Sequence, residues 1–372
     1  HIGDYYYILA AEGGTNYTHM ETAARSKNIY GPYENCPYNP VLTNRNDTTK
    51  QIQCAGHADL IDDENGNWWM VHLGTRSVLK SKTPLGRETF LTPVEWKKGW
   101  PVAVNRRAKL ENELDRIVCR TKEENAQNKN AYGQIETERN IHIGNSFNFK
   151  PNFSISSWEP QWLWLREPDI TLYERKSNAL ILHPSAFDFK APAQPCFVGI
   201  CQPDIDCHFQ TTFTFEPKDG EEGGMLLYLS SNFYYRICKR KQKGKTQLAV
   251  IRKLDDVEVT DYVKELESTE SPITIYINAS AAGYHITWKT EDEALEDAGT
   301  YSLRFLCTEI ENRCFTGTII GIYAADHTII QRKTSEQDKK QNLQYDIKKQ
   351  ETLKTQRSSS SMTITNFEAS VC

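Results

Sequence analysis

The stretch AAEGGTNYTHMETAARSKNIYGPYE, residues 10–34, decides the interpretation of this chain. It combines a Gly-Gly turn, a short alternating segment and a Gly-Pro turn, a pattern typical of closely connected antiparallel strands. Two blocks follow it: CAGHADLIDDENGNWWMVHLGTR at residues 54–76 and PLGRETFLTPVEWKKGWPV at residues 84–102. Asn65 and Gly66 lie between two apolar runs and predict a hairpin. Residues 1–104 are therefore predicted to be short strands joined by tight turns.

The order and spacing of these blocks resemble the last third of the catalytic propeller of glycoside hydrolase family 43, in its β-xylosidase and α-L-arabinofuranosidase branch. The resemblance implies that residues 1–104 are the C-terminal part of a five-bladed β-propeller. Three later segments resemble the concanavalin-A-like domain that follows this propeller in the β-xylosidases: QWLWLREPDITLYERKSNALILHP (161–184), GGMLLYLSSNFYYRI (223–237) and CFTGTIIGIYAAD (314–326).

The rest of the chain also reads as β structure, with 18 Tyr, 14 Phe and 8 Trp residues. About ten short strands between residues 157 and 324 favour a two-sheet sandwich of the jelly-roll kind over residues 151–372. The predicted strands include residues 162–166, 170–174 and 209–215, and residues 362–371 read as the closing strand. Residues 105–150 are predicted to be a polar linker or expanded loop, and residues 326–361 a disordered insertion. The predicted fold class is all-β.

Composition excludes some partners and leaves other questions open. The net charge of -5 gives no reason to expect nucleic acid or an anionic membrane as partner. Four N-x-S/T sequons tilt the balance slightly toward a secreted protein over a cytoplasmic one. The cluster Cys196, Cys201 and Cys207, and the pair Cys307 and Cys314, are consistent with disulfides if the protein is exported. Buried free thiols explain the same residues equally well.

Glycoside hydrolysis by inversion needs a carboxylic acid for the leaving oxygen and a second carboxylate to activate water. The resemblance places all three catalytic carboxylates of the family upstream of His1, the general acid lying a few residues before it. Glu12 is interpreted as structural, holding the Gly13-Gly14 turn, and Asp62 and Asp63 as turn residues. Asp59 follows the glycine–histidine motif without an acid–base partner. The isolated chain is therefore expected to be inactive.

Four residues match the active centre of the family. His57 matches a histidine near the propeller axis that orients the carboxylates or faces a bound calcium ion through water. Arg87 matches an arginine in the pocket, and Thr15 a threonine that lines the sugar site. Phe315 resembles the phenylalanine that the second domain contributes to the pocket rim, although packing in the core explains it nearly as well. Without the motif, His57 and Arg87 would be read as an ordinary strand histidine and a surface ion-pair residue.

The resemblance implies an inverting, exo-acting β-xylosidase or α-L-arabinofuranosidase that acts on xylan-derived oligosaccharides and requires no cofactor. It leaves open which pentoside is preferred, whether a structural calcium ion is held, and whether the chain forms homo-oligomers. The alternative is a non-catalytic carbohydrate-binding protein derived from such a hydrolase. In that case the sandwich would bind sugar through aromatic side chains, for which the candidates are Trp162, Trp164, Tyr234 and Tyr235. Because these aromatic residues alternate, at least half of them should belong to the core.

Overall fold

The computed structural model describes residues 1–79, 81–104, 108, 147–186, 189, 194–267, 270–291, 293–311, 315–328 and 359–372. The chain divides into two compact units, His1–Gly144 and Asn145–Cys372. Most of the predicted linker (105–150) and of the predicted insertion (326–361) lies outside the described residues, so both remain predictions.

The described part of the first unit consists of short antiparallel strands: β1 (Tyr6–Glu12), β2 (Met20–Ser26), β3 (Glu34–Asn35), β4 (Ile52–Asp62), β5 (Trp68–Arg76), β6 (Glu88–Lys97) and β7 (Trp100–Ala103). They form two sheets, in the orders β1-β2-β3 and β4-β5-β6-β7, and within each sheet every strand pairs with the next along the chain. The second sheet is a four-stranded meander of the kind that forms a propeller blade.

The turn between β4 and β5 confirms the hairpin that Asn65 and Gly66 predict. Asp62 pairs with Trp68 at the end of the ladder. The carboxylate of Asp63 accepts hydrogen bonds from the backbone N–H groups of Asn65 and Asn67, both at 2.9 Å. Asp63 is therefore a turn residue, as predicted, whereas Asp62, which was also predicted to be a turn residue, is the last residue of β4.

Arg25 joins the two sheets of the first unit. Its guanidinium carbon lies 4.3 Å from the ring centre of Tyr5 and 4.1 Å from that of Trp100. The same group donates to the carbonyl of Gly99 at 2.8 Å and to the carboxylate of Glu34 at 2.6 Å. Because a cation between two aromatic faces gains from both rings, this side chain stabilises the approach of β2 to the β6–β7 turn.

The second unit is a sandwich of two sheets, with eight strands each among the described residues. The strands are β8 (Asn148–Phe149), β9 (Leu163–Trp164), β10 (Tyr173–Lys176), β11 (Ala179–Leu182), β12 (Ser185–Ala186), β13 (Cys196–Cys201), β14 (Cys207–Phe215), β15 (Glu221–Tyr228), β16 (Phe233–Gln242), β17 (Lys245–Leu254), β18 (Val257–Glu265), β19 (Ile273–Ser280), β20 (Gly283–Thr290), β21 (Glu296–Tyr301), β22 (Ile319–Asp326) and β23 (Met362–Val371). One sheet has the order β10-β11-β23-β14-β19-β20-β21, and β8 also pairs with β23. The other sheet has the order β18-β17-β16-β15-β22-β13-β9, and β12 also pairs with β22.

The sandwich core follows from the two-residue period of its strands. Along β14, every second residue from Cys207 to Phe215 is buried, and the residues between them are partly exposed. Tyr235 of one sheet meets Tyr284 of the other edge to face, with ring centres 6.4 Å apart. The predicted closing strand is confirmed at residues 362–371, and it pairs with β14 along nearly its whole length.

Several element predictions were wrong. Residues 148 and 149 pair with Ser370 and Ala369, so this part of the predicted linker belongs to a sheet of the sandwich. Residues 170–172, predicted as strand, form a 3-10 helix because the carboxylate of Asp169 accepts the N–H of Thr171 at 3.1 Å. The sequence analysis also missed β13, β18 and β21. Further 3-10 helices lie at Leu303–Leu306 and Thr308–Ile310, and no helix in the described ranges has the length and apolar character of a membrane span.

The cysteine cluster at residues 196–207, for which disulfides and free thiols were both open, contains free thiols. Cys196, Cys201 and Cys207 are all free thiols. Cys196 and Cys207 are buried on separate strands of different sheets, and burial raises the pKa of Cys207 to about 12. These thiols act as small apolar core residues. Cys314, the proposed partner of Cys307, lies outside the described residues.

A charged network is buried in the sheet that contains β16. The guanidinium of Arg236 contacts the carboxylate of Glu222 at 2.5 Å, and both side chains are almost fully buried. Tyr323 donates its hydroxyl to the same carboxylate at 2.8 Å. Despite desolvation, which acts in the opposite direction, Arg236 and His327 hold the pKa of Glu222 well below its usual range. Removal of either charge would leave its buried partner only partly compensated, by His327 in the case of Glu222 and by Glu258 in the case of Arg236.

A close approach of two backbones in the sandwich can be tested at Gly321. Gly321 pairs with Gly199 across β22 and β13, and a Cβ at position 321 would lie 2.2 Å from the carbonyl oxygen of Val198. We expect Gly321→Ala to lower the free energy of unfolding of this unit by about 3 kcal/mol, because backbone must move to admit the methyl group. Urea unfolding of the 372-residue chain measures the change.

Gly244→Ala is the matched control for this substitution. Gly244 has a φ of +78°, and a Cβ at this position would meet nothing within 4 Å, so only backbone strain of about 1 kcal/mol is expected. Equal losses in the two variants would contradict the close-approach argument.

Candidate functional site

The turn between β1 and β2 carries the first predicted site residue, Thr15. Gly13 and Gly14 have φ values of 77° and 78°, a region that L-residues adopt rarely. A Cβ on Gly13 would lie 2.0 Å from the carbonyl oxygen of Thr18, so the turn requires glycine at this position. Thr15 is exposed beside these two glycines.

Glu12 has a different structural role from the predicted one. Its carboxylate accepts a hydrogen bond from the hydroxyl of Thr22 at 2.8 Å, across the β1–β2 pair. The side chain therefore supports the strand pair, whereas Thr18 and the glycine backbone close the turn. These contacts agree with the prediction that Glu12 is structural. They do not agree with the prediction that its side chain holds the Gly13-Gly14 turn.

His57 lies in an irregular part of β4. The register of β4 against β5 shifts between Gln53 and Gly56, and again between Gly56 and Asp59. His57 has a φ of 56°, and its side chain is exposed. A left-handed non-glycine residue between two bulges is unusual, and such conformations are typical of functional sites. The structure therefore presents His57 on a distorted segment, not on a regular strand.

His19, which the sequence analysis did not select, lies against this segment. Its Nδ1 bonds the carbonyl oxygen of Gly14, and since a carbonyl only accepts, Nδ1 carries the proton and Nε2 the lone pair. A Cβ on Gly56 would lie 2.6 Å from Cδ2 of His19, so the imidazole occupies the space beside that glycine. Burial lowers the pKa of His19, and the nearby charges of Arg87 and His57 lower it further. His19 is therefore neutral at pH 7.

Arg87 lies at the bend immediately before β6, and it is half-buried. Since both Arg87 and His57 act on the pKa of His19, the three side chains share one region of the first unit. The structure thus places two predicted residues, His57 and Arg87, near His19. Thr15 follows directly on Gly14, which binds the ring of His19.

Glu21 is the second residue that the sequence analysis missed. Its side chain is 1% exposed, and Oε2 accepts the backbone N–H of Ala58 at 2.9 Å. Burial raises the pKa of Glu21 to about 7. Bonds from the backbone of Ala58 and His57 oppose this rise, whereas the charges of Asp59 and Glu12 add to it.

Neither Glu21 nor Asp59 completes a catalytic pair. Glu21 has a pKa suited to a general acid, but its burial beneath the backbone of residues 57 and 58 keeps a sugar away from its oxygens. Asp59 is exposed on β4. That the catalytic carboxylates of the family lie elsewhere stays a prediction.

Phe315 belongs to the second unit, four residues before β22. Its side chain is 43% exposed, so it is not a core residue. The contribution of this ring to a sugar pocket stays a prediction.

The aromatic residues proposed for sugar binding by the sandwich are mostly core. Trp162, Tyr234 and Tyr235 are each less than 5% exposed, and only Trp164 of the four is partly exposed. The hydroxyl of Tyr235 donates to the carbonyl of Ser302 at 2.7 Å. These three rings stabilise the sandwich and are not available to a ligand, which agrees with the expectation that at least half of the four residues are core.

A calcium ion near His57 stays a prediction. Calcium prefers six to eight oxygen ligands, and the charged side chains of this region combine the guanidinium of Arg87 with the carboxyl groups of Glu21 and Asp59. Across the described ranges, no group of three or more His, Cys, Asp or Glu side chains is arranged to hold a metal ion. We therefore derive no step through a metal.

Family models match both units of the chain. The model for glycosyl hydrolases family 43 matches residues 1–101. The model for the β-xylosidase C-terminal concanavalin A-like domain matches residues 150–339, about half of the chain. The chain belongs to glycosyl hydrolase family 43. The predicted all-β fold, with part of a propeller followed by a concanavalin-A-like sandwich, is confirmed.

Two curated members of family 43 are similar over most of the chain. A non-reducing end α-L-arabinofuranosidase of Bacteroides ovatus is 33% identical over 329 residues, which cover 87% of this chain and 58% of the relative. A xylosidase/arabinosidase of Butyrivibrio fibrisolvens is 30% identical, with 87% of this chain and 59% of the relative covered. The chain thus spans less than two thirds of the length of these two family 43 proteins.

A solved family 43 structure shows the same architecture. The Bacteroides ovatus GH43B protein of a xyloglucan utilisation locus superposes with a TM-score of 0.78 at 28% identity. The match covers 100% of this chain and 64% of that one. These likenesses concern the family and the fold, and the roles of the individual site residues remain proposals.

The buried carboxyl of Glu21 makes the stability of the first unit depend on pH. Its pKa rises from 4.5 to about 7 on folding, so its stabilising contribution is complete below pH 4.5 and is lost as pH rises through 7. A shift of this size corresponds to about 3 kcal/mol. We take the free energy of unfolding of Glu21→Gln minus that of the parent chain. We expect this difference to be about 3 kcal/mol larger at pH 8 than at pH 4.5.

Urea unfolding of both chains at the two pH values, followed by tryptophan fluorescence, measures this difference. Comparison with the parent chain cancels the contributions of His19 and the other titrating groups. A stability difference that does not change with pH would show that Glu21 titrates normally.

Proposed function

We propose that this chain forms part of an exo-acting pentosidase that removes terminal arabinofuranosyl or xylosyl units from xylan-derived oligosaccharides. The observation that carries the proposal is the grouping of His57, Arg87 and His19 beside the Thr15 turn in a member of family 43. The names of the two relatives, an α-L-arabinofuranosidase and a xylosidase/arabinosidase, support this substrate class. Inversion of configuration is part of the proposal through the family resemblance.

The chemistry assigned to this chain is support of a reaction centre. An inverting glycosidase passes through an oxocarbenium-like transition state between two carboxyl groups about 6.5–9.5 Å apart. The guanidinium of Arg87 is suited to bind sugar hydroxyls and to keep nearby carboxylates ionised. His57 offers an exposed imidazole that orients one of these groups through a hydrogen bond. Thr15, exposed at its turn, supplies a hydroxyl for the sugar.

A non-catalytic carbohydrate-binding protein is the second candidate function. It would need a sugar-binding face on the sandwich, and three of the four aromatic residues considered for that face are buried. The buried positions of these rings favour the pentosidase. The catalytic carboxylates expected from the family remain the feature that separates the two functions.

Substitution of the two matched residues tests the proposed function. In the protein as its gene encodes it, we expect His57→Ala and Arg87→Ala each to lower kcat/KM for aryl α-L-arabinofuranosides or β-D-xylosides by about 100-fold or more, because both side chains organise charge around the transition state. Release of the aryl alcohol measures the rate.

His285→Ala and Lys27→Ala are matched controls. His285 pairs with Asp297 at the surface of the sandwich, and Lys27 is exposed near Tyr5. Both controls should retain parental rates. Parental rates in His57→Ala or Arg87→Ala would remove that residue from the site. Absence of hydrolysis in the parent protein, together with measurable oligosaccharide binding, would favour the second candidate.

A further inference from the structure

We infer that Glu21 is a positioning residue whose buried carboxyl group holds the left-handed segment that presents His57. The segment is residues 54–59 of β4, called here the His57 segment. This role deepens the proposed pentosidase function and rests on it, because that function is what assigns His57 to the site. Glu21 is not one of the four residues matched to the family. It is carried by hydrogen-bond geometry and burial.

The His57 segment lacks regular pairing on the β5 side. Between Gln53 and Asp59, Gly56 is the only residue of β4 with a partner in the ladder, opposite Leu73. Cys54 and His57 both have left-handed φ values, 54° and 56°. Each such conformation costs a non-glycine residue about 1 kcal/mol or more, so neighbouring groups must stabilise the segment.

Glu21 supplies an acceptor that the ladder does not. Its Oε2 lies 2.9 Å from the backbone nitrogen of Ala58, and the backbone N–H of His57 also acts on the carboxylate. A buried N–H without an acceptor is costly, so a carboxyl group at this point replaces the missing strand partner. The side chain thus binds the two residues at the centre of the distortion.

The backbone of Glu21 is fixed by other contacts, which lets the side chain act as a rigid support. Its N–H donates to the carbonyl of Leu42 at 2.8 Å, and its own carbonyl accepts the N–H of Val41 at 2.9 Å. The side chain is 1% exposed. Because Glu21 is anchored in this way, its carboxyl group holds the His57 segment in a fixed position relative to β2.

The charges near Glu21 also indicate a hydrogen-bonding role. The charged groups that act most strongly on its carboxyl are the acidic side chains of Asp59 and Glu12. In a structural ion pair, a nearby cation would be the main group that stabilises the ionised carboxylate. The groups that stabilise the carboxylate of Glu21 are instead backbone N–H groups. The carboxyl group is therefore placed for the backbone of residues 57 and 58.

Hydrogen exchange in the 372-residue chain tests the inference without any assay of activity. We expect the amide exchange of Ala58 to accelerate at least about 10-fold in Glu21→Leu and in Glu21→Asp, which lacks the reach, since one hydrogen bond is worth about this factor. Glu21→Gln keeps a carbonyl oxygen of the same reach and should remain within about 3-fold of the parent chain.

Thr92→Val is the control for a general loss of stability in the first unit. Thr92 is buried on β6, a strand that does not pair with β4, and it bonds Nε2 of His72 at 2.9 Å. This variant should leave the exchange of Ala58 and the ring resonances of His57 unchanged, whereas Glu21→Leu and Glu21→Asp should shift those resonances.

Unchanged Ala58 exchange in Glu21→Leu or Glu21→Asp would overturn the inference, as would loss of Ala58 protection in the isosteric Glu21→Gln. If Glu21→Leu fails to fold, the Asp and Gln variants decide the question. The exchange result is independent of the proposed function. Even if the protein does not hydrolyse pentosides, the exchange rate of the Ala58 amide still shows whether Glu21 binds it.

Discussion

The departure of β4 from its ladder at residues 54–59 is the constraint on which the candidate site depends. A regular strand here would place its side chains alternately on the two faces of the blade. The two register shifts and the left-handed conformation of His57 give this residue a direction that the alternation would not allow. The neighbouring features of the first unit fit around this distortion: Gly56 admits the ring of His19, and Glu21 binds Ala58.

The site combines exposed side chains with buried ones that support them. His57 and Thr15 are exposed, while His19 and Glu21 are among the most buried polar residues of the first unit. Burial changes the protonation of both: His19 becomes neutral, and Glu21, with its raised pKa, keeps its proton to about pH 7. Because the neutral forms need few partners, two titratable residues can lie beneath the site without counter-ions.

The two units differ in how they use polar residues. In the first unit, buried polar side chains bind backbone outside the regular ladders, as Glu21 does at Ala58 and Asn44 does at Ala108. In the sandwich, the buried charges of Glu222 and Arg236 satisfy each other within a regular sheet. Backbone that leaves the ladder needs side-chain acceptors and donors, whereas backbone inside a sheet does not. This difference is consistent with the candidate site lying in the first unit.

Local sequence patterns were enough to predict the class of fold, the β4–β5 hairpin and the closing strand, because turn residues and two-residue alternation are local signals. The resemblance of the longer motif blocks gave the family and selected His57 and Arg87 as candidate site residues. The positions of His19 and Glu21 beside them became visible only in the folded chain. Alternation along β2 places residues 19, 21 and 23 on one face, but it cannot reveal that this face meets a bulge in β4. Bulges and buried hydrogen bonds depend on contacts between distant segments, which no local pattern records.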